Sequence, residues 1–372
     1  MFPPLRCLLV FVVTLIASSS AFSKTWIVDS SPDHVADFKT VQDAHDGAAE
    51  GDILYLMGSF RHYGDLIATK RLTYIGPGYF LDENFTEFRN TFPARLKSVS
   101  LRYEISNSEF DDVNPEEITS DSSGSVFQGV TVETELHIIA NDIVVKGCKI
   151  NYLHISKTAG SFPAGGADKR DVVSACLFVQ SYFTGSTYIQ MNCTDVFFRN
   201  SIFKGTSLSI GTRNTNASAF ISSTELENNI FDGSSFDFSD CRIRNNIFTE
   251  VSSFRLDDST ATGNVFNSNK WAVNAQASYK DPLDEDTNTG LFEDAILALF
   301  DGEGSDGQYL PAAENTDLLN GVDGAMVGPF GGSYPYVLSG LPNIPRIVGV
   351  DAPPTGPSQG SIPITLKIRL PQ

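Results

Sequence analysis

Four segments, Arg199-Asn-Ser-Ile-Phe203, Glu227-Asn-Asn-Ile-Phe231, Arg244-Asn-Asn-Ile-Phe248 and Thr262-Gly-Asn-Val-Phe266, repeat one polar-polar-aliphatic-Phe signature at intervals of 28, 17 and 18 residues. A unit that short cannot bury its own apolar face. It must stack on copies of itself, as one coil of a solenoid does. Aligning the coils on the last apolar residue gives the column Ile150, Phe178, Phe203, Phe231, Phe248, Phe266. Two residues earlier stand Cys148, Cys176, Ser201, Asn229, Asn246 and Asn264. Parallel strands ~4.8 Å apart place like residues in one environment, so the alignment predicts a buried Phe stack flanked by an Asn turn ladder.

The composition suits many short strands and turns. Charged residues make up 19%, Gly and Pro number 30 and 18, and Phe (27) far outnumbers Trp (2). The first 23 residues read as a secretory leader, with Arg6 before an apolar run over 7–17 and small residues ahead of the cleavage point. That run is too short for a membrane span, which needs ~20 apolar residues. Cleavage removes Arg6 and leaves 25 basic against 45 acidic residues, a net charge of −20. Such a field opposes nucleic acid and anionic membranes. Sequons begin at Asn84, Asn192 and Asn216.

After the leader, Thr25-Trp-Ile-Val28 reads as a strand, and Thr40 caps a short helix over 41–49. Ile53-Leu-Tyr-Leu56 and Leu72-Thr-Tyr-Ile75 follow as strands closed by Gly58 and by Gly76-Pro-Gly78. The block from Phe38 to Gly78 resembles the start of secreted right-handed parallel β-helix proteins of the pectin-lyase-like superfamily. Tyr79-Phe-Leu-Asp-Glu-Asn84 and the glycine-rich run over 328–340 resemble a bacterial surface or secreted sub-group of these proteins.

The resemblance implies an all-β, right-handed parallel β-helix over 24–270, with a capping helix at its N-terminus. Residues 81–124 are poorly periodic and read as an insertion or irregular early coils. Residues 271–345 form an irregular C-terminal cover, since a solenoid must hide its open sheet edge, and within it 291–300 reads as a short helix or strand. The remainder, 346–372, is linker-like and ends in an alternating strand over 362–370.

Fold does not dictate chemistry on such a scaffold. Outward positions offer Arg199, Glu227 and Arg244 in one column, Glu225 and Arg242 in another, and Asp237 with Arg255 on the following strand. Arg199, Arg242, Arg244 and Arg255, with Asp237 among them, make a candidate strip for an extended acidic sugar, because Arg binds carboxylate bidentately. Alternating charges also describe an ordinary solvated face. Cys148 and Cys176 share a column and are within reach of a disulfide, or else are buried thiols.

His34, His45, His62, His137 and His154 are scattered along the chain and point to neither a triad nor a metal site. The acidic run over 281–286 is the one candidate for Ca²⁺, against a solvated turn. Two function classes follow. One is a non-catalytic secreted or surface module that binds an extended glycan or a surface protein along its lateral face. The other is a polysaccharide lyase, or less readily a glycoside hydrolase, acting on acidic polysaccharide.

Overall fold

The computed structural model describes residues 23–86, 88, 90–105, 118–156, 173–190, 193–205, 207–211, 223–233, 235–251, 253–257, 259–267, 288–291, 293–351 and 364–369. The expected leader up to residue 22, the acidic run over 281–286 and the sequons at Asn192 and Asn216 lie outside them.

The repeat makes coils. Short strands pair in parallel into a ten-stranded sheet, from Thr25–Val28 to Thr260–Thr262, and a fourteen-stranded sheet. The second sheet forks. Its long early strands, Arg95–Leu101, Thr131–Ile138 and Lys149–Ile155, bend at register shifts and feed two rows of later strands. One row runs through Tyr182–Phe183, Ile202–Lys204, Ile230–Asp232, Ile247–Glu250 and Val265–Asn267. The other runs through Thr187–Ile189, Ser207–Ile210, Ser235–Ser239 and Ser253–Asp257. The protein is an all-β parallel β-helix with three outer faces: the ten-stranded sheet and these two rows.

A two-residue turn joins the first sheet to the first row. Its outer residue is left-handed: Gly129, Gly147, Gln180, Asn200, Asn228, Asn245 and Gly263 all have φ between +49° and +67°. Gly and Asn tolerate that conformation best. The inner residue forms the predicted ladder. Asn229 N donates to Asn246 Oδ1 at 2.8 Å, Asn246 N to Asn264 Oδ1 at 2.9 Å and Asn264 N to Asn288 Oδ1 at 3.0 Å. These buried amides satisfy backbone groups that the turn leaves unpaired.

Beside the ladder lies the aromatic core. Phe183, Phe203, Phe231, Phe248 and Phe266 stack with centroids 4.5–4.8 Å apart, one strand spacing. Each ring is fully buried, which contributes roughly 2–3 kcal/mol by area. Phe178 does not join this stack. It is level with Val145 and Phe198, across the turn, and stacks on Phe198 at 4.7 Å. Inward aromatics flank the turn on both sides, so alternation alone could not say to which strand Phe178 belonged.

That shift also removes the disulfide. Cys176 is level with Val196, whereas the Cys148 amide donates to Ser181 Oγ, and both thiols are free and buried. Burial pushes each thiol up to about 12.

At the N-terminal end the helix Val41–Gly47 starts at Thr40, whose hydroxyl accepts from Asp43 N. The helix packs against Thr25–Val28 and Leu66–Ala68, the first strands of their rows. Residues 81–124 contain a short helix, Leu81–Asn84, the coil strand Arg95–Leu101 and an antiparallel pair, Tyr103–Ile105 with Ile118–Asp121. Residues 289–300 hold a strand, Thr289–Leu291, and a helix, Glu293–Leu297. The terminal strand, Thr365–Arg369, finds an antiparallel partner in Arg346–Asp351.

Candidate functional site

The first row of strands carries two consecutive apolar residues in each coil. The Phe points inward, so Tyr182, Ile202, Ile230, Ile247 and Val265 point outward, yet all are buried. They pack against Ile296, Leu299, Tyr309, Leu319, Val327 and Tyr336 of the C-terminal segment, which lies over this face. The segment then runs back along the turn column. Asn228 Nδ2 donates to the Met326 carbonyl at 2.8 Å, Asn200 Nδ2 to the Pro329 carbonyl at 3.0 Å, and Gln180 Nε2 reaches the Pro335 carbonyl.

Its N-terminal anchor is Asp306, fully buried. Asp306 accepts from Asn84 Nδ2, the Tyr336 hydroxyl and Ser339 N. Burial raises its pKa against these hydrogen bonds. Asn84 also donates to Ser339 Oγ, so its sequon is tied into the fold. This face and its turn are sealed.

The arginine strip divides between two faces. Arg199, Arg242 and Arg244 lie on the ten-stranded sheet, Asp237 and Arg255 on the second row. Arg199 faces Glu225 at 3.5 Å and Glu227 at 3.6 Å, Arg242 faces Glu225 at 3.6 Å, and Arg255 faces Asp237 at 3.6 Å. A continuous cationic strip is therefore not formed. The charges alternate up the stack, as on a solvated face.

Among the described residues nothing covers the second row, and here the structure assembles groups that are far apart in sequence. His137, His154, Tyr188, Ser209, Asp237 and Arg255 occupy one outward column on successive strands. The imidazoles of His137 and His154 stack with centroids 4.9 Å apart. His137 Nε2 meets Ser156 Oγ at 2.9 Å, and burial, then the second imidazole, lowers its pKa. His154 Nδ1 lies 3.6 Å from Glu135, and its Nε2 accepts from Gln190 Nε2 at 3.2 Å.

Tyr188 is 50% exposed, and Tyr152, its diagonal neighbour two residues back on the adjoining strand, is 46% exposed. Strand spacing and rise put the two backbones roughly 8 Å apart. The histidines are scattered in sequence, and the fold brings His137 and His154 together. The signal was the parallel register, which sets residues 17 apart, His137 and His154, side by side.

Where the long strands bend, a cleft of about 410 Å³ opens between the helix Leu81–Asn84 and the strand starts. Arg95, Thr131 and Lys149 are in register along it, with Glu133, Asn151, Thr184 and Asp82 around them. Glu133 pairs with His62 at 2.7 Å and with Arg95 at 3.4 Å. Among the described residues, no group of three or more His, Cys, Asp or Glu side chains could hold a metal ion. Among them too, no helix is long and apolar enough to cross a membrane.

No family model, curated protein or solved structure matches the chain.

Proposed function

We propose that the protein is an exported, surface-associated or secreted β-helix module of the pectin-lyase-like kind that binds an extended glycan along its open lateral face. One observation carries this reading. Tyr152 and Tyr188 expose aromatic side chains at diagonal positions of adjoining strands, on the face that carries His154, Gln190 and Glu135 and that nothing described covers. Aromatic rings offer apolar area to the C–H face of a sugar at little entropic cost, while planar polar side chains meet its hydroxyls. A solenoid repeats such positions along its axis, which suits a polymer. The leader-like N-terminus supports export.

The test is a glycan-array screen of the secreted protein, followed by calorimetry on wild type and on Tyr188→Ala. The reading expects at least one glycan to bind, and affinity to fall tenfold or more in the variant. Equal binding by both proteins would overturn it. Release of unsaturated products from pectin or alginate, with or without Ca²⁺, would replace it with the lyase reading.

A further inference from the structure

We propose that the cleft beside the helix Leu81–Asn84 is a binding site for one oxyanion group, a carboxylate, sulfate or phosphate, held by the Lys149 ammonium over the Thr131 hydroxyl. The argument starts from charges that are already answered. Arg95 gives one guanidinium nitrogen to the Phe60 carbonyl and another to Glu133, and Glu133 also takes His62. Arg95 and Glu133 answer each other's charge and need no ligand.

Lys149 differs. Among the described residues its ammonium has neither a hydrogen bond nor an ion pair, only the ring of Phe80 at 4.5 Å. Burial lowers its pKa, and Glu83 and Glu133 offset this from a distance. A half-buried ammonium without a bonded anion is costly, and an incoming oxyanion would remove that cost.

Thr131, in register between Arg95 and Lys149, is a second, independent observation. It is only 6% exposed, lines the cleft, and its Oγ1 has no hydrogen-bond partner. A buried hydroxyl left unpaired is destabilising, and a ligand oxygen would relieve it. Asp82 at the rim opposes a polyanion, so the site takes one charged group rather than a run of them. The cleft and the Tyr152–Tyr188 face are separate sites, and each stands or falls alone.

The experiment follows the Thr131 methyl and Lys149 side-chain NMR signals of the full chain during titration with sodium acetate, sulfate and phosphate at constant ionic strength. At least one anion should shift both signals saturably. Lys149→Met should abolish the effect, Lys149→Arg should retain it, and Thr131→Val should weaken it several-fold. Retention by the Arg variant separates loss of charge from loss of fold. Tyr188→Ala should leave the anion response unchanged. Absence of a saturable shift with all three ions, or an equal response in Lys149→Met, overturns the site. Neither result touches the glycan reading, which the Tyr188→Ala calorimetry decides.

Discussion

Tyr182 and Tyr188 lie six residues apart on one coil, and both point out of the solenoid. Tyr182 is 3% exposed and Tyr188 is 50% exposed. The difference is the C-terminal segment, which seals one row of strands and leaves the other open. It teaches how to read consecutive apolar residues in a strand. Where Ile202-Phe203, Ile230-Phe231 and Ile247-Phe248 follow one another, both sides of the sheet are buried. Where Leu208-Ser209-Ile210 and Phe236-Asp237-Phe238 alternate, one side is free for solvent or ligand.

The largest expected effect strikes what the two rows share. Phe231 stacks between Phe203 and Phe248 and meets Phe236 of the open row edge-on at 5.3 Å. Phe231→Ala should cost about 3–5 kcal/mol in urea unfolding, since a ring-sized cavity cannot collapse within fixed coils.

Next comes the comparison itself. Ile230→Ala, on the covered row, should cost about 2–4 kcal/mol, whereas Ser209→Ala, at an outward position of the open row, should stay within about 0.5 kcal/mol. Equal costs would mean that the cover does not seat on the first row.

The helical end is a third sealed region, and pH probes it. His45 is buried against the Tyr74 hydroxyl, and burial first, then Lys70, lowers its pKa to about 4. The unfolded chain therefore binds more protons than the folded one between about pH 6.5 and 4. Stability is full above that window and falls through it as the pH drops, by roughly 2–3 kcal/mol in total. His45→Gln should flatten this slope in denaturation measured from pH 7 to 4.

Smallest in stability is Tyr188→Ala. It should change the unfolding free energy by less than about 0.5 kcal/mol, because half of the ring is already in water. Its effect belongs to binding.

Much of this was legible because stacking forces like residues together. The Asn ladder follows from the signature spacing, and the capping helix from Thr40 and its apolar face. What escaped has a common cause: the sequence shows spacing along the chain, not register between strands. Spacing alone places Phe178 on the wrong side of the turn and Cys176 level with Cys148, whereas the register separates both and leaves two buried thiols. A corner of the coil separates Arg199, Arg242 and Arg244 from Arg255, which spacing along the chain does not show. The His137–His154 stack depends on the parallel register of two long strands, which spacing along the chain does not display by itself. An apolar residue outside each buried Phe, as at Ile202, Ile230 and Ile247, is the sequence mark of a covered face.

The most direct test of sealed against open faces is hydroxyl-radical footprinting of the native protein with residue-level mass spectrometry. Tyr152 and Tyr188 should oxidise rapidly, while Tyr182, Tyr309 and Tyr336 remain protected until the protein is unfolded. Oxidation of Tyr182 as fast as that of Tyr188 would contradict the account, because it would mean that the C-terminal segment does not lie on the first row.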